Sequence, residues 1–285
     1  METFDADWLA LREPLDHTSR AKDLIAPLVH AWDTGGWSRV LDLGSGTGSN
    51  LRYLAPRLPP EQDWVLVDHD PAHLRTLRAL KRPPGVRGLT VSPRDLATHE
   101  LGDVAGADLV TASALLDLTS EHWLDRLVTA CVGGGCGVLC ALTYNGWIDW
   151  SDERPDASSV GPRAGSGETA QDDLLVREAV NAHQAGDKGF GPALGPAAAT
   201  LAERRFRSAG YRTTLHESAW RLGGEDRPIV EQLLAGWVEA AVAVRPNDEA
   251  RIRRWAEARR SVVATGTFSL TVGHHDLLAL PPERS

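Results

Sequence analysis

Residues 40–50 read VLDLGSGTGSN: an apolar run carrying one acid, then glycine at alternate positions, Gly44, Gly46 and Gly48. Glycine there permits positive φ and lets backbone N–H groups approach a ligand closely. Ser45 and Thr47 fill the positions between them. Asp42, two residues ahead of the first glycine, gives the loop its electrostatic character. A carboxylate at that strand end accepts hydrogen bonds from an ammonium group and repels a pyrophosphate. A second acid, Asp68, ends the run WVLVD about 24 residues past Gly44. An acidic side chain at such a point can hold two ribose hydroxyls.

These groups need a scaffold that delivers them to one edge. Short apolar runs alternate with helical patterns between Val40 and Leu142, as a parallel α/β sheet requires. The runs are 39–44, 64–68, 88–92, 107–113 and 137–143, and nearly continuous apolar character marks strands covered on both faces. The segments SNLRYLAPRL, PAHLRTLRALK and SEHWLDRLVTACV repeat apolar residues at helical spacing. Asp70 before Pro71, and Thr119 or Ser120 before Trp123, supply helix starts. The preface reads as a short amphipathic piece broken at Pro14, followed by a helix entered through Asp16 or Thr18 and interrupted at Pro27. The stretch 151–173 is rich in Ser, Gly, Pro and Asp and reads as a mobile insertion. Two late helices, 228–244 and 249–264, exceed what a minimal α/β fold needs and are assigned to a cap. YRTTLHESAW and TFSLTVGHHDLLALP alternate as strands.

The expected architecture is a doubly wound, mostly parallel seven-stranded sheet with the last strand antiparallel and helical cap insertions. It divides into a preface or lid (1–35), a ligand-binding core (36–143), an insertion with a substrate loop (144–195) and a completion of the sheet carrying the two-helix cap (196–285).

Composition narrows the partners. The 285 residues carry 30 basic against 39 acidic side chains, a net charge of −9, which disfavours a nucleic-acid-coating role. No run approaches 18 apolar residues, so no transmembrane helix is expected, and the acidic start METFDADWLALREP is unlike a secretory signal. A cytoplasmic, bacterial protein is the expectation, monomer or homodimer. The three cysteines, Cys131, Cys136 and Cys140, match no common zinc spacing and read as small buried residues. His274 and His275 are strand neighbours that point to opposite faces, so no metal site is expected there.

Together the 40–50 loop, Asp68, the Arg94-Asp95-Leu96 step and the fourth-strand segment ADLVTASALLDL resemble the class I S-adenosylmethionine-dependent methyltransferases over roughly residues 36–143. The resemblance implies that Asp42 and the loop Gly44, Ser45, Gly46, Thr47 and Gly48 hold the methionine part of S-adenosylmethionine. It implies that Asp68 holds the ribose, His69 lies against the adenine and Asp95 and Leu96 surround its edge. Ala112 and Ser113 would line the passage from sulfonium to substrate. A nicotinamide-binding fold predicts a glycine where Ser49 stands.

After the fourth strand the sequence Thr111-Ala112-Ser113-Ala114 lacks the Asn/Asp-Pro-Pro-aromatic motif of amino-group methyltransferases, which points to a small-molecule acceptor. Transfer would go to an oxygen or nitrogen, releasing S-adenosylhomocysteine. A sulfonium-assisted cyclisation or decarboxylation, or a non-catalytic binding role, are the alternatives. Substrate contacts are expected from Arg12 and Arg20 in the preface, Tyr144 and Asn145 after the fifth strand, and Lys188 and Phe190 in the loop NAHQAGDKGFGPALGP. His183 is the first choice as catalytic base and Asp187 the second, facing one cleft if their helix extends that far.

Overall fold

The computed structural model describes residues 5–98, 100–151 and 167–282. Its central sheet runs from β1 (Arg39–Leu43) through β2 (Gln62–Asp68), β3 (Val86–Pro93), β4 (Leu109–Ser113) and β5 (Gly137–Ser151) to β6 (Arg212–Glu217), β7 (Trp220–Leu222) and β8 (Ser269–Leu280). The strand order is β3-β2-β1-β4-β5-β8-β6, with the short β7 paired to β8. The first five strands are mutually parallel, and β8 inserts antiparallel between β5 and β6. This is the doubly wound, mostly parallel sheet expected, with its last strand antiparallel and β7 as an addition.

The helices flank both faces. They are α1 (Ala6–Ser19), α2 (Ile25–Gly35), α3 (Ser49–Leu54), α4 (Pro71–Ala79), α5 (Glu121–Gly134), α6 (Gly167–Gln184), α7 (Ala198–Ser208), α8 (Arg227–Val244) and α9 (Glu249–Ala264). One core cluster packs α5 and α7 on the sheet around Leu124, Leu127 and Phe206. Another packs α2, α3 and α4 on the opposite face around Leu28, Leu51 and Trp64. A third lies beyond the strand ends, where α6, α8 and α9 meet β7 and the outer half of β8. No helix among the described residues is long and apolar enough to cross a membrane.

Three local expectations are corrected. The first helix runs through Pro14 without breaking. Pro14 and Ala10, whose carbonyl the proline ring leaves without a helical donor, are both exposed, so water can serve that carbonyl. Pro27 falls in the first turn of α2, where its missing N–H does no damage. Of the stretch read as a mobile insertion, residues 152–166 lie outside the described residues, whereas 167–173 open α6. Their acids are matched by the cap: Asp172 accepts from Arg251, and Asp173 accepts from Trp255 Nε1 and Arg259. Ser120 and Asp70 cap α5 and α4 as their sequence context indicates.

Candidate active site

Strand β1 ends at Leu43, and the chain turns through Gly44, Gly46 and Gly48 with φ of 65°, 55° and 88° before α3 begins. The loop opens onto a cleft of about 100 Å³ at the carboxyl ends of β1, β2 and β4, where open α/β sheets take their ligands. Gly44, Ser45, Gly46 and Thr47 line it together with Asp68, His69, Leu96 and Ser113. Asp42, Gly48, Asp95 and Ala112 stand behind or beside this wall. Asp95 accepts from Ala97 N in a local turn, and Ala112 is buried in the core.

Asp42 is sealed at 1% exposure, its Oδ1 accepting from Asn50 Nδ2 at 2.7 Å. Its Oδ2 has no hydrogen-bond partner among the described residues. Burial pushes its carboxyl up to about 6, against the pull of Asn50. Asp68 differs. Burial raises its pKa, but hydrogen bonds from His73 and from the Asp70 and Gly46 amides outweigh that and hold it below the usual carboxylate range. Gly46 N donates to Oδ2 at 2.7 Å and Asp70 N to Oδ1 at 2.9 Å. With the His73 contact at 3.4 Å, these leave an ionised carboxylate with acceptor capacity at the cleft wall.

A second cavity, about 400 Å³, lies under the cap and meets the first at Arg12, Ala114 and Leu118, which line both. The sequence-predicted Tyr144, His183 and Lys188 line it. Lys188 Nζ stands 3.4 Å from His183 Nδ1. An ammonium only donates, so Nδ1 accepts and the ring proton sits on Nε2. Helix α1 roofs both spaces, with Leu9 and Asp16 over the first and Trp8 over the second. It is tied down by Glu13 to Arg52 and by His17 to Ser49.

Of the residues expected to touch substrate or act in catalysis, four lie outside both cavities. Helix α6 ends at Gln184, so Asp187 does not share its face with His183; instead its carboxylate accepts from Gly189 N and Gly191 N. Phe190 packs edge-on against Trp123 in the core, at 5.6 Å between ring centroids. Asn145 accepts from Trp147 N in a local turn. Arg20 is buried, paired with Asp276 at 3.1 Å and bonded to Asn50 Oδ1 at 3.0 Å.

The sequence reading missed Trp220, Trp237, Gln232 and His274, which α8, β7 and β8 bring into the second cavity. The non-glycine residues with left-handed backbone include Ala114 and Leu142, both at φ 52°, and both line this cavity. Strained backbone concentrates at functional sites. Ala114 is held by its N–H to Ala141 O at 2.9 Å, and Leu142 by its N–H to Asp276 Oδ1 at 2.7 Å.

His274 carries a pH signature. Burial, then the nearby Arg12 guanidinium, lowers its pKa to about 3. The folded imidazole therefore stays neutral while the unfolded one protonates near 6.5, so its contribution to stability is present above pH 6.5 and lost as pH falls toward 3. Replacing His274 by Phe should shift stability in the variant's favour, relative to the native chain, by ~1.4 kcal/mol per pH unit below that point. Urea titrations at about pH 6.5, 5.5 and 4.5 check this; a constant difference between the two proteins rejects it.

The mostly parallel sheet, with β8 antiparallel between β5 and β6, has the Rossmann-like topology of class I methyltransferases. Residues 40–134 match the family model described as a methyltransferase domain. No curated protein sequence matches the chain. Among solved structures, a cyclopropane synthase from Mycobacterium tuberculosis is similar at 12% identity, covering 90% of this chain and 83% of that one, with a TM-score of 0.41. A mycolic acid cyclopropane synthase in its apo form gives 11% identity, 97% and 100% coverage and a TM-score of 0.44. A putative sarcosine dimethylglycine methyltransferase from Galdieria sulphuraria gives 11%, 90% and 85%, and 0.41. At such values these likenesses carry nothing about the reaction.

Proposed function

We propose that the chain transfers a methyl group from S-adenosylmethionine, bound in the first cleft, to an oxygen or nitrogen of a small molecule held in the second cavity. The observation that supports this most is the meeting of the two spaces at Arg12, Ala114 and Leu118. A donor and an acceptor can then face each other under one roof, away from water.

The residues of the first cleft fit the cofactor. An added Cβ at Gly44 or Gly46 would come within 3.2 Å of Leu115 or 3.3 Å of Leu9, so the loop wall is cut close for backbone contact. Asp42 places a buried carboxylate behind the loop, and Asp68 offers ionised oxygens at the position of a ribose. In this reading Gly44, Ser45, Gly46 and Thr47 take the methionine portion, while His69 and Leu96 flank the adenine. Ser113 lines the passage toward the acceptor. The bound sulfonium supplies an activated methyl carbon. The chain's part is to align the acceptor and exclude water. His183 and Lys188 line the cavity side by side as the groups that orient the acceptor, and Arg12 spans the junction. Asp187, Phe190, Asn145 and Arg20 serve the scaffold in this reading.

Asp68→Asn tests it. The amide keeps the size of the side chain and one acceptor oxygen but loses the charge. A hydrogen bond to a charged group is worth roughly 1.5–3 kcal/mol, so affinity for S-adenosylhomocysteine should fall about ten- to a hundredfold. Calorimetry on the folded variant provides the measurement, and unchanged affinity would remove Asp68 from the ribose role.

A further inference from the structure

We infer that the second cavity is a site for a flat, aromatic acceptor, gated by Gly236 on α8. This rests on the reading that the first cleft holds the cofactor. The wall is a chain of rings. Trp8 and Trp220 meet edge to face at 6.4 Å, as do Tyr144 and His274 at 6.2 Å, while Trp220 and His274 are tilted at 4.8 Å, with Trp237 adding a fourth large ring from α8.

The polar ends of two of these rings are spent on the wall itself. Trp220 Nε1 donates to Asp16 Oδ1 at 3.1 Å, and Tyr144 Oη donates to Asn181 Oδ1 at 2.8 Å. What they keep for a ligand is π surface, fixed in orientation. Leucine and valine would cover an aliphatic chain equally well; pinned aromatic rings discriminate in favour of another π system, by about two- to tenfold per ring pair. A quaternary ammonium is disfavoured. The Arg12 guanidinium already lies over the Trp220 ring, 5.2 Å from its centroid, and a second cation would meet like charge there.

The entrance is set by α8. Gln232 and Gly236, one turn apart, line the cavity and are exposed, whereas Trp237 beside them is buried. A Cβ added at Gly236 would find no atom within 4 Å. Glycine inside a helix is less favourable than alanine, so α8 keeps an opening at the expense of its own propensity. Leucine at this position suits the helix and closes the opening.

The test uses the full chain with S-adenosylhomocysteine present, following tryptophan fluorescence and calorimetry. The probes are 2-naphthol, its saturated counterpart decahydro-2-naphthol, and tetramethylammonium. We expect 2-naphthol to bind at least tenfold more tightly than decahydro-2-naphthol, and Trp237→Leu to remove most of that difference. Gly236→Leu should weaken 2-naphthol at least tenfold and leave S-adenosylhomocysteine affinity unchanged. Equal affinity for the two ring systems, preference for tetramethylammonium, or no probe binding to protein that holds S-adenosylhomocysteine overturns the aromatic site while the cofactor reading stands. Discrimination between the ring systems in protein that fails to bind S-adenosylhomocysteine overturns the cofactor reading alone and supports the aromatic site.

Discussion

Replacing Asp276 by Ala should lower the unfolding free energy by about 3–5 kcal/mol, as expected when one partner of a buried ion pair is removed. Arg20 and Asp276 have side chains only 3% and 2% exposed. The Asp276 carboxylate accepts from Arg20 Nε at 3.1 Å, Ala21 N at 3.0 Å and Leu142 N at 2.7 Å. Removing it leaves a buried guanidinium whose remaining neighbours include Asn50, the face of Tyr53 at 4.5 Å and, electrostatically, the Asp42 carboxylate. It also releases the amide of Leu142, which sits at φ 52°. Total stabilities of domains run about 5–15 kcal/mol, so the loss is roughly a fifth or more of the total. Urea unfolding measures it, and the double variant Arg20→Met with Asp276→Leu should recover much of the loss because no charge is left behind. A single-variant cost below about 1 kcal/mol would show that water reaches the pair.

Gly46→Val should reduce S-adenosylhomocysteine affinity by about a hundredfold or more. The position has φ 55°, where a β-branched residue is a genuine outlier. Its Cβ would stand 3.3 Å from Leu9 Cδ1, and the branches would project further against α1. Relief requires rotating the backbone, which takes the Gly46 N–H off Asp68 and moves the loop that the ligand must approach. Backbone strain of this kind costs of order 1–3 kcal/mol, so the fold survives and binding bears the loss. Calorimetry alongside Gly46→Ala separates the contributions, since Ala adds the Cβ without the branches. A valine variant binding within about threefold of the native chain, a difference of less than 1 kcal/mol, would mean that the loop is not the cofactor cradle.

Much of the first cleft was readable from the sequence because its signals are local. Strand, glycine turn and acid fall within a dozen residues around Gly44, and Asp68 follows one helix later. Apolar runs gave the five parallel strands to within a few residues at each end, although β5 extends past 143 to Ser151. The second cavity was not readable in the same way. Its rings come from Trp8, Tyr144, Trp220 and Trp237, separated by most of the chain and joined only when β8 inserts between β5 and β6. The usable signal was composition: ten Trp against four Phe and three Tyr, an inversion that asks what the indoles are for. Asp187 and Arg20 show the opposite limit. A charged residue in a promising loop or helix carries no mark in the sequence that separates a turn-forming or buried structural role from a ligand contact. Those roles are fixed by the amides of Gly189 and Gly191 and by Asp276 across the fold.

Because α1 is the roof of both chambers, the two cannot be treated as separate compartments. Arg12 borders each, and the residues beside it divide between them, Trp8 to one and Leu9 to the other. A ligand that steadies this helix from one chamber would steady it for the other, so two ligands bound under it would be thermodynamically linked. The strengthening that the first confers on the second must be returned in equal measure by the second to the first.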